Sequence, residues 1–300
     1  MSTDIRTRLV RLAPEIEADG PIGPTLMFKT IAPLGKEIGA EIARRKDSPT
    51  TLRRLASDDK AAVRALACVV LGQVGQVAPQ GIVDIAHRLA ADERWEVREA
   101  IANAFDEQVC QTQAEFVYEL MAQWIHDPDA NVRRAPTNAL MRYGIRQPRK
   151  VIALMQELLH DDSEYVRKNV AFCLQQIAKV KHLILGAGNP DNPDVMLETL
   201  RAWTDDGDWR TRWIIARTLG NVWAHAERRH VAEALKLLKK LAADGNKRVQ
   251  TAVAGALKEL ARKNLGEVKQ AVAQWNQDKN ANVRAVAQLF SKPPRRNASA

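Results

Sequence analysis

Cysteine is scarce in this chain, and the few residues there are stand apart. Cys68, Cys110 and Cys173 are the only three in 300 residues. With no Cys-x-x-Cys pair and no Cys/His cluster, neither a disulfide framework nor a structural zinc site is expected. Aromatic residues make up only 5%, so any ring outside the apolar pattern is worth locating. No apolar run is long enough to span a bilayer, and the opening MSTDIRTRLVRLAPE lacks the apolar centre of a secretory signal. Glycine-rich phosphate loops are missing. None of the six histidines stands at a triad spacing from a serine or cysteine, so nucleophilic catalysis has no support. Strand-type alternation is nowhere sustained. These absences leave an all-α, soluble protein of a reducing compartment, with no metal and no cofactor.

What the chain does have is positive charge and repetition. The formal charge is +9 and the sequence pI about 9.6, which favours a polyanionic partner. A pattern of acidic loop, Val-Arg and then Ala and Leu at helical spacing recurs at Val63, Val97, Val132 and Val166, starts that lie 34, 35 and 34 residues apart. Weaker copies begin at Thr211, Val249 and Val283. A fixed period with two helices per unit is the mark of an α-solenoid, and HEAT-type repeats fit it best.

The expected organisation is an N-terminal helical cap over residues 1–47, about seven helical pairs over 48–291, and a disordered basic tail over 292–300. In the cap, Asp4–Glu17 reads as one helix and Leu26–Arg45 as another, opened by Pro24 and interrupted near Pro33. Lys181–Pro193 lengthens one repeat. The whole is expected to curve, with the second helix of each pair lining a basic concave groove.

Taking the Val of Val-Arg as the zero of a helical wheel, positions +3, +4 and +7 share its buried side, and +2 and +6 face the groove. Those groove positions carry Glu99 and Asn103, Arg134 and Asn138 (with Arg142 nearby), Lys168 and Phe172, and Trp213 and Arg217. Cations, amides and rings on one wall suit a phosphate backbone and exposed bases. The arginine of Val-Arg itself (Arg64, Arg98, Arg133, Arg167, Arg212, Arg284) is expected to form a structural ladder with the acidic loops of neighbouring repeats. Trp95 lies one turn before Glu99. The pair is either a ring capping the repeat core beside a solvated acid, or part of a site.

The sequence resembles the bacterial AlkD/AlkC superfamily of alkylpurine DNA glycosylases. Trp95-Glu-Val-Arg-Glu99 is similar to the AlkD-type Trp-x-x-x-Asp at the start of one inner helix, with Arg134 a repeat later and Phe172 where those members have Trp. Tyr165–Lys179, Asn192–Trp203 and Arg212-Trp213 are similar to AlkC-type segments, although Asn138 and Gln176 stand where acids would be expected. The resemblance covers residues from about Leu26 to Val231. It implies a monomeric protein of the bacterial cytoplasm, working at the nucleoid. Such a protein binds alkylated or distorted duplex DNA and hydrolyses the N-glycosidic bond of cationic N3- or N7-alkylpurines without base flipping. Glu99 and Trp95 would be catalytic, and Arg134, Lys168, Phe172, Trp213, Arg217, Asn138 and Arg142 would bind DNA. Two other readings stay open: a non-catalytic solenoid that binds distorted or branched DNA, and a protein-binding scaffold, the latter favoured if the groove charges pair among themselves.

Overall fold

The computed structural model describes residues 16, 20–179, 189–221 and 228–291. Nearly all of the expected helix Asp4–Glu17, most of the Lys181–Pro193 insertion, Trp223 and the basic tail fall outside the described residues. Every regular element among the described residues is helical. The helices pair as the repeat predicts: Ser48–Ala56 with Ala61–Gly75, Val83–Ala90 with Trp95–Ala104, and Ala114–Trp124 with Ala130–Ala139. Further on, Pro148–Glu157 pairs with Glu164–Ile177, Asn192–Trp203 with Trp209–Asn221, Arg228–Ala242 with Lys247–Ala261, and Leu265–Trp275 with Ala281–Ser291. The chain divides into two compact units, Met1–Tyr143 and Gly144–Ala300, so the division falls within the repeat array.

The phase of each second helix is set in the loop before it. An Asp side chain accepts the backbone N–H two residues on: Asp92 from Arg94 at 2.9 Å, Asp127 from Asp129 at 2.8 Å, Asp161 from Ser163 at 2.8 Å. Six residues after that Asp, an arginine Nη1 donates back to the same Asp's carbonyl: Arg98 to Asp92 at 2.6 Å, Arg133 to Asp127 at 2.8 Å, Arg284 to Asp278 at 2.7 Å. Where the arginine is replaced, Gln250 Nε2 donates to Asp244 O at 2.6 Å. The expected pairing with a neighbouring repeat's carboxylate comes in addition, as in Arg64 to Asp92 at 2.7 Å and Arg212 to Asp244 at 2.5 Å. The shared task is to hold the residue's own loop. Each such bond nets about 0.5–1.5 kcal/mol, and the repeat multiplies it.

With the phase so set, the reference side chains turn inward. Val63, Val97, Val132, Val166, Thr211, Val249 and Val283 are at most 2% exposed. Cys68, Cys110 and Cys173 are buried and form no disulfide. Trp124, on a first helix, packs edge-on to Phe105 at 5.8 Å, and Trp203 and Trp275 are buried as well.

The helices of the first unit depart from regular α geometry in several places. A π-helical turn over Leu26–Ile31 leads into Ala32–Ile42, which holds Pro33 in its first turn. Proline lacks an N–H and crowds the carbonyl four residues back, and widening the turn relieves both. A second π-turn, Phe105–Val109, extends the Trp95–Ala104 helix. The Ala130–Ala139 helix stops shortly after its internal Pro136, and a new helix, Met141–Arg146, begins two residues on. The head is tied to the second repeat through the buried Glu96, whose Oε1 accepts from Ile22 N at 3.3 Å and from Arg94 Nη2 at 2.9 Å.

Two glycines on facing helices of the second unit behave oppositely. A Cβ on Gly220 would lie 2.8 Å from Ala256 Cα, whereas one on Gly255 would meet nothing within 4 Å. Gly220→Ala is therefore expected to lower stability by about 1–3 kcal/mol through overpacking. Gly255→Ala should raise it by about 0.5–1 kcal/mol, the helix-interior difference between the two residues. Thermal unfolding of the two variants checks both signs.

Candidate functional site

In the first unit, four of the anticipated residues meet. Glu99 and Trp95 are one turn apart on the same helix; Arg134 stands at the position equivalent to Glu99 in the next repeat, and Asn138 one turn further on. Arg134 Nη1 donates to Glu99 Oε2 at 3.0 Å. Asn138 Nδ2 donates to Oε1 at 2.8 Å and to Oε2 at 2.9 Å. Arg134 and Asn138 are each 2% exposed, while Trp95 is 59% exposed. Trp95 is thus not a core cap. It stands at the rim of a cleft of about 560 Å³, whose lining includes Glu99, Asn103 and, from the head, Ile22, Met27, Phe28 and Pro33.

This geometry corrects the wheel in one respect. Arg134 and Asn138 do not present themselves to a phosphate, because Glu99 reaches across from the preceding repeat and both donors fold beneath it. Their role is to hold a carboxylate. Arg142 is likewise committed: its backbone N–H and Nε donate to Asp106 at 2.7 and 3.0 Å.

The remaining anticipated residues lie in the second unit. Lys168 is exposed and forms an ion pair with Glu164 at 2.8 Å. Phe172 is 41% exposed. Arg217 stacks on Trp213 with its guanidinium carbon 5.1 Å from the ring centroid. Phe172, Trp213 and Arg217 share a cleft of about 810 Å³ with Trp209, Arg248 and Gly255, none of which the sequence pattern singled out. A signal was present for Gly255, which occupies the +6 position of its repeat. Phe28 lies in the largely apolar cap helix expected over Leu26–Arg45, where nothing in the pattern set it apart, and it is 71% exposed. Gln176 Oε1 accepts from Lys179 Nζ at 2.6 Å, so the amide engages a neighbour on its own chain segment. Among the described residues no cluster of His, Cys, Asp or Glu could hold a metal ion, and no helix is long and apolar enough to cross a membrane.

Burial pushes the Asp106 carboxyl up to about 7, against the opposing pull of the Arg142 N–H and charge. A folded-state value above the unfolded one of about 3.9 means that folding favours the protonated acid. Its contribution is therefore full below about pH 4 and is lost as pH rises through about 7. Urea unfolding of the wild type between these limits should show stability falling with pH, and Asp106→Asn should flatten that slope. An unaltered slope in the variant would contradict the assignment.

No curated protein matches the chain. Among solved structures, smu.31 from Streptococcus mutans UA159 superposes with a TM-score of 0.47 at 21% identity, over 63% of this chain and 96% of that one. AlkD2 from Streptococcus mutans gives 0.45 at 20% identity, over 70% and 96%. A computationally designed armadillo repeat protein for peptide recognition gives 0.35 at 20%, over 73% and 96%. The HEAT-repeat sequence family matches residues 88–175 and 154–258, more than half of the sequence. With the paired helices described above, this establishes that the chain belongs to the HEAT-repeat family.

Proposed function

We propose that the first-unit cleft is the catalytic site of a DNA glycosylase-like protein that binds duplex DNA and hydrolyses the N-glycosidic bond of cationic N3- or N7-alkylpurines without flipping the base. The observation that carries this reading is the Glu99 carboxylate, held by buried Arg134 and Asn138 beside an exposed indole. The AlkD/AlkC resemblance of Trp95-Glu-Val-Arg-Glu99 supports it.

The chemistry asks little of such a site. An alkylated purine already bears a positive charge, so it departs as a neutral base and needs no proton at the leaving group. As the C1′–N bond breaks, positive charge grows on the sugar, and a fixed carboxylate stabilises it. A carboxylate has about four acceptor positions. The bonds from Arg134 and Asn138 take up three, which leaves one for the attacking water, whose proton Glu99 would accept. Trp95 would hold the cationic nucleotide against its face, a contact worth about 0.5–2 kcal/mol. Arg134 and Asn138 act as positioning residues.

A second reading, a protein-binding scaffold, draws on a different observation: several of the anticipated cations are already paired, Arg134 with Glu99, Arg142 with Asp106 and Lys168 with Glu164. The deciding experiment is release of 7-methylguanine and 3-methyladenine from alkylated duplex DNA. Release above the spontaneous rate is expected, with Glu99→Gln slower by roughly 10²–10⁴-fold. No release would retire the enzyme reading; duplex affinity that falls steeply with salt would then favour a DNA-binding solenoid, and its absence the scaffold. Arg134→Ala should slow release while leaving the salt dependence of duplex affinity unchanged, because its guanidinium touches no phosphate. A slope shallower by about 0.9 per lost contact would contradict that placement.

A further inference from the structure

The cleft of the second unit differs in chemistry from that of the first. Its walls are flat groups. Trp213 carries the Arg217 guanidinium at 5.1 Å, and Trp209 carries those of Arg210 at 5.6 Å and Arg248 at 5.4 Å. Phe172, with its ring 41% exposed, completes the set. Cations outnumber acids in the lining: Arg167, Arg217, Lys247 and Arg248 against Glu164 and Glu259. At about 810 Å³ the space falls within the range of about 300–1,000 Å³ usual for ligand sites.

The side contributed by the Lys247–Ala261 helix holds the most telling residue. Gly255 is exposed on that wall, in mid-helix, where glycine weakens the helix relative to alanine. No neighbour requires it, since a Cβ there would meet nothing within 4 Å. With Thr251 and Ala252 a turn earlier, it keeps the wall low opposite the rings. Such a position makes sense if something outside the chain approaches the helix closely.

We infer that this cleft binds an unpaired nucleotide of a DNA strand, its base stacked between the Phe172 ring and the guanidinium–indole layers, and its phosphate on Arg217. Rings recessed in a cleft cannot stack on the bases of an intact duplex, whose faces are covered by their neighbours; they can take a base that has left the stack. A guanidinium already laid on an indole offers a second flat face; that of Arg217 keeps its N–H edge for phosphate, whereas Arg248 Nη1 lies 3.7 Å from Glu164 Oε2 and serves as a stacking face. The site is thus built for a planar group next to an anion. The inference shares with the proposed function only the choice of DNA as partner.

The test uses the full chain and two fluorescein-labelled strands of equal length, an oligothymidylate and an oligomer of abasic sites, which carry the same phosphates with and without bases. Stacking is expected to make the oligothymidylate bind at least about fivefold tighter, the lower end of what one stacked base contributes, and to quench tryptophan emission. Gly255→Leu, which fills the cleft without touching the packed core, and Phe172→Ala should each erase that preference. Equal affinity for the two strands would overturn the inference, as would a preference that survives Gly255→Leu. Failure here with 7-methylguanine release intact removes only this site. Stacking with no release removes only the glycosylase reading.

Discussion

Seven times among the described residues an aspartate folds back on the N–H two residues ahead, and a side chain six residues later holds that aspartate's carbonyl. The device fixes where each second helix begins and how it is rotated. Rotation matters because a helix that starts one residue late turns its whole face by about 100°. With the start clamped, the Val of each repeat points into the core, and the positions two and six residues on share one face. Everything attributed to the site depends on that registration, since it brings Glu99 of one repeat over Arg134 and Asn138 of the next.

Within the first unit, the consequence is a carboxylate that does not wander. A glutamate at a helix start ordinarily samples several rotamers in water. Here two buried donors grip both of its oxygens, and the indole of Trp95 stands free beside it. Preorganisation of this kind costs nothing when charge develops on a substrate, which is why held carboxylates suit reactions that pass through a cationic sugar. The head adds the far wall of the cleft, and the buried Glu96 carboxylate fastens the head in place. In the second unit the same two positions carry rings, guanidiniums and a glycine, so one repeat geometry presents two different chemistries.

The period, the pairing of helices and the inward-facing Val positions were legible from the sequence because they rest on residue spacing alone. So was the convergence of Trp95, Glu99 and Arg134, since equivalent positions one repeat apart must stack. The burial of Arg134 was not legible: a wheel treats each helix by itself, and the group that covers Arg134 comes from 35 residues earlier. The arginine ladder was half legible. Its membership could be read, but the acceptors are backbone carbonyls of the same loop, and backbone acceptors leave no mark in residue identity. The Asp-to-Arg interval of six residues was there to be seen. The π-turn at Phe105–Val109 has no marker such as proline, and nothing in the pattern of the head sets Phe28 apart.

Glu99 and Arg134 acting as one unit across two repeats is the central claim. A double-mutant cycle measures it directly, with unfolding free energies for wild type, Glu99→Gln, Arg134→Met and the double variant. A coupling of about 1.5–3 kcal/mol, the range for a hydrogen bond to a charged group, is predicted. Single effects that add to within about 0.3–0.5 kcal/mol, as independent sites do, would contradict it.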